Sequence, residues 1–178
     1  MDDFNLQFRR FLHLDRKRRG GGLTPGELRR WMKLKSILNQ EFSPASDSDG
    51  LARRESVRVA ARVGVSFRDL GQLRECLMTN VSRGGLFIAT DNALDIGTSF
   101  ELCIELEKTG EVMEVPVEVV SQNARPDRGT FELGMGVRFR EMNPEVRSKL
   151  DELYELKLHQ ARERSEAKRG PAETQVPE

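Results

Sequence analysis

"SFELCIELEKTGEVMEVPVEVVSQ", residues 99–122, is the stretch that decides the fold. Phe100, Leu102, Ile104 and Leu106 alternate with Glu101, Cys103, Glu105 and Glu107, and the theme continues around Val115. A period of two turns one face of each segment to a core and the other to water, as in half-buried antiparallel strands. The glutamates then occupy a solvated face and form no catalytic pair.

The same pattern extends in both directions. Upstream, Val63, Val65 and Phe67 alternate with small or polar residues in "RVGVSFR", followed by "LRECLMTN" and "GLFIAT". Downstream, "FELGMGVRF" puts Phe131, Leu133, Met135, Val137 and Phe139 on one face. Six strands at short spacing predict a mainly β fold, a small antiparallel barrel or sandwich, and of the two we expect a six-stranded antiparallel β-barrel. Pro116 inside the fifth strand suggests an edge or a bulge there, because proline has no N–H to give a ladder. A closing helix starts at "NPEVRSKLDELYELKL", with Asn143 as N-cap, Pro144 at the first position and Val146, Leu150, Leu153 and Tyr154 as its apolar stripe. It would cover one mouth or face of the barrel.

Residues 1–42 read as an N-terminal helical hairpin. Phe4, Phe8, Phe11 and Leu12 form one stripe before "RKRRGGG", where Gly20, Gly21 and Gly22 can end a helix and reverse the chain. Thr24, Pro25 and Glu27 then make a capping box with a proline start, and Leu28, Trp31, Met32, Leu34, Ile37, Leu38 and Phe42 follow at helical spacing. Two short helices cannot bury both stripes alone, so the hairpin must pack on the main domain or on another chain. The basic run Arg16 to Arg19 reads as a solvated helix end, where cations suit the dipole. "SPASDSDG" makes residues 43–51 a flexible linker, residues 52–158 hold the barrel and its helix, and residues 159–178 have little to bury and read as a disordered tail.

Composition limits the function. The 178 residues include 29 basic and 29 acidic ones, so no global field draws the chain to nucleic acid or an anionic membrane. No apolar run is long enough to span a bilayer and the first residues lack signal-peptide features, which leads us to expect a cytoplasmic protein without membrane insertion. Cys76 and Cys103 fall in strand-like segments and are expected to be buried free thiols, and His13 and His159 lie near opposite ends, so neither a metal site nor a histidine triad assembles easily. Gly134 and Gly136 in "ELGMGVRF" have no following helix, which removes a phosphate-loop reading. No catalytic residue, metal ligand or cofactor is expected.

Two polar clusters remain. "ARRESVRV" places Arg53, Arg54 and Arg58 between the linker and the first strand, and Arg54 and Arg58 share a side if the segment is extended. Guanidiniums gathered in one place repel unless an anion sits between them, and their planar forks suit phosphate oxygens and the guanine O6 and N7. "NVSRGG" places Asn80 and Ser82 on one face, with Gly84 and Gly85 permitting a sharp turn and close approach of a ligand to the backbone.

Together, in this order and at the start of a six-stranded barrel, these clusters resemble the PilZ domain, a bacterial receptor for cyclic di-GMP. The family's RxxxR is similar to Arg54-Glu-Ser-Val-Arg58 and its [DN]xSxxG to Asn80-Val-Ser82-Arg-Gly-Gly85; "GGLFI" and "GMGVRF" look like the family's strands. The resemblance covers residues 52–155. It implies a non-enzymatic cyclic di-GMP receptor in which Arg54 and Arg58 hold phosphates and guanine Hoogsteen edges, with Arg53 as an extra hand. Asn80 and Ser82 would bond a guanine, and Gly85 would keep the turn open. Many members carry an aromatic near the end of the fifth strand, where this chain has Ser121 and Gln122, and Asn80 replaces the commoner aspartate.

The resemblance further implies that ligand orders the arginine segment and moves the hairpin, changing a surface for a protein partner. An interaction module of the same fold that binds no nucleotide is the alternative. A small nucleic-acid-binding barrel fits less well, because the strands show few exposed aromatics. Whether the hairpin also makes a homodimer is left open by the sequence.

Overall fold

A computed structural model of the chain describes residues 3–42, 56–69, 72–106, 109–123 and 133–169. Helices α1 (Asp3–Gly20) and α2 (Pro25–Phe42) form the hairpin. Strands β1 (Val59–Asp69), β2 (Gln72–Val81), β3 (Gly85–Ala89), β4 (Ser99–Glu105), β5 (Val112–Asn123) and β6 (Gly134–Phe139) follow, and helix α3 (Pro144–Arg169) closes the described chain. The strands make one closed antiparallel barrel in the order β1-β2-β3-β6-β5-β4. Closure leaves no edge strand to protect.

The alternation seen in the sequence is the inside–outside alternation of this barrel. Val65, Phe67, Ile88, Leu102, Ile104 and Val115 fill the interior, while Glu101 and Glu105 face water. Pro116 lies on neither an edge nor a bulge. It pairs with Glu101 of β4, and its carbonyl accepts from the Arg140 N–H (2.8 Å) just past the end of β6. The side lacking an N–H therefore faces the place where β6 has already ended, so no ladder bond is lost. Cys76 and Cys103 are free thiols as expected, and both are half-buried: Cys76, paired with Val65, lies on the core side and packs against it, whereas Cys103, paired with Ser66, lies on the outward side of its strand.

The hairpin's punctuation is realised. Thr24 Oγ1 accepts from the Glu27 N–H (3.3 Å) while the Glu27 carboxylate accepts from the Thr24 N–H (3.0 Å), and Asn143 Oδ1 caps α3 through the Val146 N–H (2.8 Å). The reversal after α1 uses Gly22 at a φ of 84°, which costs glycine little. Phe4, Phe8, Phe11, Trp31, Leu38 and Phe42 join the barrel interior in a continuous core, so the hairpin packs on its own domain. Leu28 and Met32, part of the α2 stripe by sequence, stay exposed; Lys35 and Asn39 are buried in that helix instead.

Two expectations change. The α3 helix runs through Arg169, past residue 158, with Ala161 and Ser165 buried against the hairpin side and Ser165 donating to Glu41 of α2. Residues 159–169 are therefore structured where a tail was expected. The basic run at the end of α1 is likewise no simple solvated end. Arg16 and Arg19 pair with Glu155, Arg19 also reaches Asp151, Lys17 pairs with Glu27, and Arg18 lies 4.3 Å above the Trp31 ring. The run docks α1 on α3.

Candidate functional site

Five of the residues singled out by sequence, Arg58, Asn80, Ser82, Gly84 and Gly85, converge on the outer barrel face where β1 begins and β2 turns into β3. Val59 pairs with Val81 and Ala60 with Asn80, and Val57, Val59 and Val81 are buried. Arg58, Asn80 and Ser82 therefore fall on the opposite, outward face. They line a cleft of about 170 Å³ with Gly84, Gly85, Phe87, Val120 and Arg138. That is smaller than the ~300–1,000 Å³ that encloses a drug-sized ligand, and it suits one part of a larger one. Arg53 and Arg54 lie outside the described residues, with Glu55 between them and Ser56.

The chemistry of the cleft is open. Among the described residues nothing pairs with the Arg58 guanidinium or with the Asn80 side-chain amide. Ser82 Oγ donates to the Gly85 carbonyl (3.0 Å), which the Ser82 N–H also reaches at 2.9 Å, so the hydroxyl keeps its lone pairs for a donor. The two glycines differ. A Cβ on Gly84 would meet nothing within 4 Å, whereas one on Gly85 would sit 2.1 Å from the Val137 carbonyl oxygen across the β3–β6 ladder. Gly85 is required by strand packing, and Gly84 is the one that leaves room in the cleft.

The last three residues of the arginine motif, just before β1, are each tied to a different element. Ser56 Oγ accepts from the Arg83 N–H (3.2 Å), the Val57 carbonyl accepts from the Tyr154 hydroxyl of α3 (2.9 Å), and the Arg58 N–H donates to Asn39 Oδ1 of α2 (2.9 Å). Three consecutive residues thus join the motif turn, the closing helix and the hairpin. Burial pushes the Tyr154 hydroxyl pKa up, so it remains a proton donor to Val57.

Arg83, a position the [DN]xSxxG pattern leaves free, is the residue sequence reasoning missed. Its side chain is 10% exposed and runs inward beneath the helices. Nε donates to Asp15 of α1 (3.0 Å), Nη1 to Asp151 and Nη2 to Glu155 (3.4 Å) of α3, and its plane lies 4.6 Å from the Tyr154 ring centre. Asp15, 2% exposed, also accepts from the Trp31 indole (3.1 Å). Burial disfavours the Arg83 charge, but Asp15 and then Asp151 override it and raise the pKa. One side chain from the motif turn holds α1 and α3 together. Its only sequence signal is that arginine is seldom buried without carboxylates.

The remaining lining residues were also unmarked by motif. Arg138 sits opposite Gly85 in the β3–β6 register and pairs with Glu118 (3.0 Å). Near the end of β5, Val120 is 45% exposed and lines the cleft; Gln122 is turned to the Leu94 carbonyl (2.7 Å), and Ser121 lies over Gly136. Phe87 is the aromatic that lines the cleft.

Comparison with known proteins agrees with this arrangement. Residues 52–156 match the PilZ domain family. The chain belongs to that family. PilZ domains are cyclic di-GMP receptors and effectors, not enzymes. Among solved structures, the PilZ domain of YcgR from Escherichia coli, determined with c-di-GMP, aligns over 64% of this chain and 98% of its own, at 18% identity and a TM-score of 0.53. The longer YcgR structure aligns at 18% identity and a TM-score of 0.53 over 65% of this chain and 50% of its own. The Bacillus subtilis inhibitor of motility MotI/DgrA aligns at 22% identity and a TM-score of 0.48, over 65% and 52%. No curated protein matches significantly. The hairpin and the last turns of α3 lie outside the PilZ match. Among the described residues no helix is long and apolar enough to cross a membrane, and no group of His, Cys, Asp or Glu is placed to hold a metal ion.

Proposed function

We propose that this PilZ protein is a receptor for cyclic di-GMP that passes the binding event to its helical hairpin. The observation that carries the reading is the cleft on the outer barrel face, where, among the described residues, nothing pairs with the Arg58 guanidinium or the Asn80 amide beside Ser82 and an open Gly84. Arg54 and Arg58 would hold phosphate and guanine Hoogsteen edges, with Arg53 as an additional contact, while Asn80 and Ser82 bond a guanine edge. Phe87 and Val120 would take the place of the absent β5 aromatic, a smaller stacking surface.

Transmission follows from the bonds of residues 56–58 and of Arg83. A ligand that draws Arg54 and Arg58 onto the cleft also pulls on Ser56, Val57 and the turn carrying Arg83. Those residues hold α1, α2 and α3. The output is then a changed hairpin surface for a protein partner.

Calorimetry with cyclic di-GMP tests the site. The intact protein is expected to bind tighter than about 10 µM, roughly −7 kcal/mol, and Arg54→Ala or Arg58→Ala to weaken this at least about tenfold. Equal affinity in both variants would remove the site. A second reading, a PilZ-fold interaction module that binds no nucleotide, draws support from Val120, Ser121 and Gln122 standing where a base platform would be; it predicts no heat at all.

A further inference from the structure

We infer that the outer groove between α1 and α2 is a docking site for an acidic amphipathic helix of a partner protein. This names the partner that the receptor reading leaves unspecified, and rests on that reading for its regulation though not for its geometry.

The hairpin is electrically unlike the rest of the chain. Residues 3–42 carry ten Lys and Arg against four Asp and Glu, a net of +6 in a chain whose total is zero. The ion pairs described above consume Lys17, at Glu27, and Arg16 and Arg19 on the side facing α3. On the other side a groove of about 890 Å³ is lined by Arg9, Arg10, His13, Arg30 and Lys33, all exposed. No carboxylate among the described residues pairs with any of these five. Glu27, which also borders the groove, is already engaged with Lys17 and Thr24.

The floor between these cations is apolar. Leu14 is buried and Leu34 and Ile37 are half-buried along the groove. Leu6, 38% exposed, lies one turn before Arg10 and two before His13, on the same face. Glu27 and Ile37 are ten residues apart on α2, about 15 Å at helical rise, or roughly three turns of an opposing helix. Two parallel walls of a helical hairpin with an apolar floor offer a third helix the ridges and grooves it needs.

Charge complementarity decides what kind of helix fits. Unpaired cations on both rims repel each other and favour a partner with Asp or Glu flanking its apolar stripe. A nucleic acid would use the cations but not the apolar floor, and none of the groove-lining residues is a Phe, Tyr or Trp, the large rings on which bases stack best.

Fluorescence anisotropy on the full chain tests this, with a labelled peptide of about 18 residues carrying Leu at helical spacing and Glu elsewhere. Two comparison probes are a peptide of the same composition with the leucines scattered, and a single-stranded DNA of equal charge. The expected result is saturable binding of the amphipathic peptide that is at least about tenfold tighter than either comparison probe. The triple variant Arg10→Glu, Arg30→Glu, Lys33→Glu, all surface changes, should weaken it at least about tenfold while its thermal unfolding stays unchanged. No binding, equal binding of the scattered peptide, tighter binding of DNA, or unchanged affinity in the triple variant would overturn the groove. Calorimetry with cyclic di-GMP on the same triple variant keeps the two ideas apart. A normal nucleotide isotherm alongside lost peptide binding supports both, and peptide binding without nucleotide binding sinks the receptor reading alone.

Discussion

At the scale of a residue, Arg83 is where binding motif and architecture meet. Its backbone belongs to the turn that borders the cleft, and its guanidinium belongs to the helices. Removing it strands Asp15, which is almost wholly buried and keeps only the Trp31 indole. Breaking a buried ion pair from one side leaves an uncompensated charge. Arg83→Ala is therefore expected to lower unfolding stability by about 3 kcal/mol, read as a shift in the urea midpoint. Arg83→Lys should fall between, because an ammonium cannot reach three carboxylates with one planar fork. A loss in Arg83→Ala below about 0.5 kcal/mol, the size of an ordinary surface change, would show that the cluster does not hold the helices. The residues named by motif were legible in the sequence because each motif has fixed local offsets, and the β1–β2 pairing then sets Arg58, Asn80 and Ser82 on one barrel face. Arg83 was not, since its three partners lie 68 to 72 residues away in sequence and nothing local announces them.

At the scale of elements, the strands could be read directly because a half-buried strand writes its two faces in alternate letters. The caps of α2 and α3 were readable for a similar reason, since they are local bonds. The length of α3 was hidden. "ARERSEAKR" carries hardly any large apolar residue, yet Ala161 and Ser165 are buried, Ser165 donates to Glu41 of α2, and His159 meets Phe8 edge-on at 5.3 Å. The stretch reads as polar but behaves as a packing surface. Ending the chain at Leu158 should therefore destabilise the hairpin and not merely trim a tail. We expect the truncated protein to melt several degrees lower, as a loss of about 1 kcal/mol gives in a domain of this size, with faster proteolysis of α1. An unchanged melting temperature would mean that these turns contribute nothing. The exposed Met32 and Leu28 show the converse error. Helical spacing identifies a broad apolar stripe, but which part of it is covered depends on where α3 and the barrel lie.

At the scale of the molecule, a nearly neutral barrel and α3 are held to a basic hairpin, with Asp151 and Glu155 of α3 receiving the hairpin's arginines. Burial alone would raise the Glu155 carboxyl, but hydrogen bonding and charge from Arg16, joined by Arg83, bring it below its usual 4.5. A carboxyl with a lowered folded value stabilises fully above its unfolded value, and that contribution is lost as the pH falls through the lowered one. Glu27, held down to about 2 by its hydrogen bond to Lys17 and then by Thr24, keeps its link the longest. Docking should thus be constant from neutral pH to about 4.5 and weaken below it. The single tryptophan, Trp31, reports this because its indole bonds Asp15 at the same junction. Its emission should shift to the red between about pH 4.5 and 2. A shift complete by pH 6 would contradict the assignment to carboxylates.

The same junction would link the proposed nucleotide cleft to the hairpin, and amide hydrogen exchange on the full chain, with and without saturating cyclic di-GMP, reads both ends at once. The account predicts added protection in peptides covering residues 80–85 together with changed exchange in α1 around Asp15. Protection of the motif turn with α1 unaltered would break the link between receptor and hairpin. No change in either would contradict the receptor itself.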